Sequence, residues 1–275
     1  MSQPVSAENP DAIGVHVPEA QLARFCGKCG SPLQSDWTDC LACATPPQHD
    51  EPVRSYQAEM RDLKSALWLY FSLFAVSVIM IIAATASRND AGIGLQVFGA
   101  VTMTLVVMIW SIARRDTVTG LLSLQPSLKW YLLAVLCPIG TYLTASVCMM
   151  LANKLIGLNT INYLKPYTDA DLGFGWAILL ICVQPAIFEE LAFRGVVQGS
   201  LQAVIGPWQA VFASAVMFAI LHLSIPSIPH LVIMGFVLAW LRLRSGSLYP
   251  GMIVHFLHNL FALLDEKSGG LLPWS

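Results

Sequence analysis

Two neighbouring glutamates and an arginine interrupt an apolar run that otherwise carries no charge from Trp176 to Val197: Glu189, Glu190 and Arg194. At membrane depth such groups cost several kcal/mol unless paired or hydrated, so they mark a functional site by default. On a helix, Glu190 and Arg194 stand at i and i+4 and can pair. Glu189 lies about 100° round the helix from Glu190 and needs a different partner. Further polar residues interrupt the apolar runs that follow. His222 closes one run, His230 opens the next, and His255, His258 and Asn259 fall within the last. His255 and Asn259 are i and i+4, so they share a helix face.

Residues of these types can hydrolyse a peptide bond. The reaction needs a base for water, a polariser for the carbonyl and a proton for the leaving amine. A carboxylate in a low-dielectric site suits the base that later returns the proton. A histidine nearby can orient the water, and a neutral amide such as that of Asn259 can hold an oxyanion. Ser224 lies near His222, but no positioned base and acid accompany it as a serine route requires. A metal route stays open, with Glu189, His222 and His255 as three ligands of a zinc ion. A His-Glu-x-x-His motif is absent. The competing readings are a structural ion-pair cluster and the ion path of a non-enzymatic membrane protein, either a transporter or a partner-binding sensor.

The elements that must position these residues are membrane helices. Of the 275 residues, 56% are hydrophobic and 12% charged, against about 25% charged in a typical soluble domain. The expected fold is an all-α bundle of about seven spans, at 66–86, 93–113, 128–151, 173–197, 208–225, 229–243 and 247–264. The stretch from Gly157 to Asp171 is mixed and is expected at a surface. A fourth helix running on to about residue 203 would bring Glu189 nearer mid-depth. No signal peptide is evident. With seven spans, Arg54, Arg61, Lys64, Arg114, Arg115, Arg242 and Arg244 fall on one side. That side is read as cytoplasmic, with the N-terminus there and the protein in the inner membrane. The net charge of −2 argues against a nucleic-acid partner.

The N-terminal part reads differently. Residues 1–22 are a polar leader expected to be disordered. Cys26, Cys29, Cys40 and Cys43 form two C-x-x-C knuckles ten residues apart. Each knuckle can offer two thiolates to one tetrahedral structural zinc, giving a ribbon over 23–48. So short a segment would take most of its folding energy from the metal. Two disulfides, or a rubredoxin-like iron, are the alternatives. A linker follows over 49–65, then N-terminal membrane helices over 66–127, a core over 128–264 and a tail over 265–275. The ribbon is also the expected docking point for any cytoplasmic protein partner.

Glu189-Glu190-x-x-x-Arg194, then Phe218-x-x-x-His222, then His255-x-x-x-Asn259, each within an apolar helix, resemble the CAAX protease and bacteriocin-processing (CPBP, or Abi) family of intramembrane proteases. Phe193-Arg194-Gly195 and Arg244-Ser245-Gly246 fit the same pattern, and the resemblance spans roughly residues 130–264. It implies an intramembrane endopeptidase acting on a membrane-associated peptide or protein. Glu189 would activate water with His222 beside it. His255 and Asn259 would hold the oxyanion, and Glu190 and Arg194 would brace the helix. The resemblance favours metal-free catalysis over a metalloprotease, and the zinc ribbon lies outside the family core.

Overall fold

A computed structural model describes residues 24–25, 32–33, 56–86, 92–157 and 162–269. The chain divides into two units, Met1–Glu51 and Pro52–Ser275. In the first, β1 (Arg24–Phe25) and β2 (Pro32–Leu33) pair antiparallel, with Arg24 opposite Leu33 and Phe25 opposite Pro32. The four cysteines expected to bind zinc lie outside the described residues.

The described part of the second unit is helical. Its helices are α1 (Tyr56–Ala86), α2 (Ile93–Ala113), α3 (Arg115–Ser123), α4 (Leu128–Ile156) and α5 (Lys165–Asp169). They continue with α6 (Phe174–Ile205), α7 (Pro207–Leu221), α8 (Ile228–Ser245) and α9 (Tyr249–Lys267). A 3₁₀ turn, Ile225–Ser227, leads into α8.

Five segments are long and apolar enough to cross a membrane: Ala58–Ala86, Ile93–Ala113, Leu128–Ile156, Phe174–Ile205 and Ile225–Ser245. Their outward side chains are apolar too, with Ile82, Phe98, Ile109 and Leu136 each 60–62% exposed. Lipid covers such faces in an integral membrane protein, whereas water would leave a large exposed apolar patch. The seven-span expectation holds in part. All seven stretches are helical, but α7 has 15 residues, short of the roughly 20 a span needs. In α9, polar and charged residues break the apolar run.

The ends of several helices also differ from expectation. The fourth helix runs to Ile205, past the expected 197, and stops where Gly206 adopts a φ of 87° ahead of Pro207. Glycine takes that conformation without cost, and proline favours the first turn of the next helix. This length puts Glu189 and Glu190 at mid-helix, as the sixteenth and seventeenth of 32 residues. α7 ends before Leu223, whose φ of 52° is left-handed.

Close contacts join the helix ends at one end of the bundle. Arg114 pairs with Asp62 and donates to Ser200 Oγ at 2.8 Å. Arg242 donates to Gln202. The start of α1 and the C-terminal ends of α2, α6 and α8 therefore meet there, and their basic residues with them.

Candidate active site

The site is built on the middle of α6. Two π-helical segments, Ile178–Val183 and Leu191–Val197, flank the α-helical turns Gln184–Glu190 that carry both glutamates. Such widened turns occur often at functional positions. Pro185 has no N–H to offer the carbonyl four residues before it, and that carbonyl, Ile181 O, accepts a hydrogen bond from Asn259 Nδ2 at 2.8 Å.

Glu190 and Arg194 form the pair their spacing requires. Arg194 Nη1 lies 2.9 Å from Glu190 Oε1, and both side chains are buried, at 1% and 0% exposure. The guanidinium also donates to Gly235 O on α8 at 3.1 Å. It lies over the Phe218 ring at 4.6 Å. One turn on, Gln198 Nε2 donates to Ala239 O at 3.0 Å. Gly235 is tied to this packing, because a Cβ there would meet the Ala215 backbone at 3.0 Å.

His255 lies between the glutamates. Its Nδ1 is 3.1 Å from Glu190 Oε1, and its Nε2 is 3.8 Å from Glu189 Oε2. The carboxylate of Glu190, ionised by its arginine, can only accept, so Nδ1 carries the proton. Nε2 faces Glu189. The Glu189 side chain is 32% exposed, and its Oε2 has no hydrogen-bond partner among the described residues. It lines a cavity of about 320 Å³ whose wall includes Gln184, Phe188, Met103, Tyr163 and Tyr167.

The structure thus brings Glu189, Glu190, Arg194 and His255 into contact. Asn259 joins them through the backbone of α6. His222 is held apart, with Nδ1 2.9 Å from Phe218 O and the ring against the Phe218 ring at 4.8 Å. No hydrogen bond or ion pair links His222 to either glutamate. A bond to a carbonyl requires the proton on Nδ1. His258 turns to α4, where Nδ1 meets Thr141 Oγ1 at 2.9 Å. His230 Nδ1 is buried without a partner among the described residues.

Glu189, His222 and His255 do not assemble as a zinc ligand set. Among the described residues no group of three or more His, Cys, Asp or Glu is placed to hold a metal ion.

Several functional positions were not picked out from sequence. Tyr163 and Tyr167 come from the stretch expected at a surface, yet Tyr167 is 2% exposed and both line the cavity. Glu266 on α9 holds this stretch by accepting from the backbone N–H groups of Tyr163 and Leu164 at 3.2 and 2.9 Å. Gln184 is the only amide side chain in the run from Phe174 to Phe188, and that was the available signal.

Residues 171–261 match the family model described as type II CAAX prenyl endopeptidase Rce1-like. The match covers about a third of the chain, and all six of Glu189, Glu190, Arg194, His222, His255 and Asn259 lie inside it. No curated protein matches the chain, and no solved structure does.

Proposed function

We propose that the helical unit is an intramembrane endopeptidase in which Glu189 activates water. One observation carries the reading: a carboxylate at mid-helix, with one oxygen free of hydrogen bonds among the described residues, lines a cavity and faces Nε2 of a histidine fixed by a second, ion-paired glutamate. The similarity to an endopeptidase family over the same residues supports it.

In this mechanism a water sits within hydrogen-bond reach of both Glu189 Oε2 and His255 Nε2. Attack on the scissile carbonyl carbon forms the C–O bond while Glu189 takes the water proton. Glu190 and Arg194 act through His255, fixing its tautomer and ring position. One N–H of the Asn259 amide is bonded to Ile181 O, and the other is available to the oxyanion. Collapse of the tetrahedral species breaks the C–N bond, and the Glu189 proton passes to the leaving amine. This assigns His255 to the water, where the sequence pattern had pointed to His222. His222 then stands apart from the water, at the end of α7.

The substrate class proposed is a membrane-tethered peptide or protein. A prenylated C-terminal segment is the first one to test, since the matched family's description names it. The basic helix ends would face the cytoplasm, and the N-terminal ribbon would sit there with a zinc bound by Cys26, Cys29, Cys40 and Cys43. The decisive experiment measures cleavage of a farnesylated peptide by the purified protein in lipid. Glu189→Gln keeps shape and one oxygen but cannot take a proton, so it should abolish cleavage while leaving the folded yield intact. Wild-type turnover by Glu189→Gln would remove the base from this residue.

A further inference from the structure

The wall of the cavity holds an amide whose two ends have different fates. Gln184 Nε2 is held by α2, donating to Thr104 Oγ1 at 3.1 Å and to Ala100 O at 3.4 Å. Ala100 O can only accept, which fixes which end of the amide is the nitrogen. The carbonyl end is therefore turned away from these contacts. Among the described residues nothing donates to Gln184 Oε1, and it is not sealed from solvent as Glu189 Oε2 is. Gln184 and Glu189 line the same cavity, on the same seven-residue α-helical segment. Much of the rest of that wall is apolar, including Leu73, Met103, Leu180 and Phe188.

A few polar atoms placed in an apolar pocket fix the orientation of what enters it. An acceptor that no protein group fills is open to an N–H of whatever enters the cavity. Gln184 is also anchored in advance. Its bonds to α2 have already removed the rotamer freedom that a long side chain loses on binding. We infer that Gln184 is a substrate-positioning residue of the proposed peptidase, its Oε1 accepting a hydrogen bond from one backbone N–H of the peptide beside the scissile bond. The inference rests on the peptidase reading. It assigns the cavity a peptide strand in addition to whatever apolar group tethers the substrate, and it gives the strand a fixed register against Glu189.

The test uses the full-length protein in lipid and a fluorescent farnesylated peptide. In a series of otherwise identical peptides, each peptide bond except the cleaved one is replaced in turn by an ester, which removes a single N–H. For wild-type protein one ester position should raise KM about five- to tenfold, the usual effect of one lost hydrogen bond. Gln184→Met keeps the length but has no carbonyl. It should raise KM for the all-amide peptide by the same factor, keep kcat within about twofold, and be indifferent to that ester. Thr104→Val removes an anchor of Gln184 but leaves Oε1 in place, and should keep the preference for amide over ester. A purely structural Gln184 would behave otherwise. Gln184→Met and Thr104→Val would then lower Tm and activity together, and every ester would cost the same in wild type and Gln184→Met. That result overturns the inference alone. Absence of any cleavage by the wild-type protein overturns the peptidase reading and this inference with it.

Discussion

A methyl group added at Gly251 would stand 2.8 Å from Glu190 Oε2. The missing side chain on α9 is what lets the buried carboxylate lie against that helix and reach His255, four residues further on. Glu190 cannot swing aside, since Arg194 and His255 both hold its other oxygen. Gly251→Ala should therefore displace the carboxylate and tilt His255 away from Glu189. Overpacking of this kind costs about 1–3 kcal/mol, and a misplacement near 1 Å at a reacting group costs about 10²-fold in rate. Cleavage and thermal unfolding measured together check it. Wild-type turnover by Gly251→Ala would separate Glu190 from the chemistry.

Arg194→Ala should harm folding more than Glu189→Gln does. Removing the guanidinium leaves Glu190 buried without its ion-pair partner and with His255 as its one remaining hydrogen-bond partner among the described residues, a loss of about 3–5 kcal/mol. Arg194→Lys should not rescue it, because a single ammonium cannot reproduce the fork that serves Glu190 and Gly235 O at once. Gln198→Ala, which removes one neutral hydrogen bond, should cost only about 1 kcal/mol. Folded yield in membranes and Tm in detergent provide the comparison. Normal yield of Arg194→Ala would end the bracing role.

Asn259→Ala should slow the chemical step by about 10²–10³, the effect of deleting one oxyanion donor. It also removes the bond to Ile181 O, so stability must be read beside rate. Single-turnover kinetics on folded protein make the distinction. If activity per folded molecule is unchanged and only Tm falls, Asn259 is a helix tie and the oxyanion is held elsewhere.

Zinc and cleavage should separate. Cys26→Ser or Cys40→Ser should lose bound zinc while cleavage continues, because the proposed ribbon and the Glu189 site are different centres. Chelation should strip the wild-type protein of zinc and spare turnover. Turnover in Cys26→Ser that stops with chelator and returns with zinc would make Glu189 a metal ligand. Absence of zinc from the reduced wild-type protein would remove the ribbon.

The sequence made some of this site legible and hid the rest for physical reasons. The Glu190–Arg194 pair was readable because four residues on a helix always share a face. The partner of His255 was not, since it depends on how α9 is rotated against α6, which no local spacing records. The π segments on either side of Glu189-Glu190 were equally hidden. Pro185 frees the Ile181 carbonyl that Asn259 takes, but nothing in Ile178–Val183 itself distinguishes the widened turns. The end of α6 carried a signal, Gly206-Pro207, that the apolar pattern alone passed over. The seven-span pattern rested on apolar runs, and 15-residue α7 shows that a run can be helical yet shorter than a membrane is thick. The cysteine spacing speaks for zinc, and those residues lie outside the described part of the chain.

The bonds from Arg194 to Gly235 and from Gln198 to Ala239 are spaced alike on both helices, four residues apart on α6 and four on α8. They act as two rungs with one pitch. A slide of α6 along α8 would break both rungs together. Sliding by a full turn, about 5.4 Å, would bring Arg194 to the position of Gln198 and leave Gly235 O without its donor. The two helices are therefore keyed to a single register, and that register sets the height of Glu190.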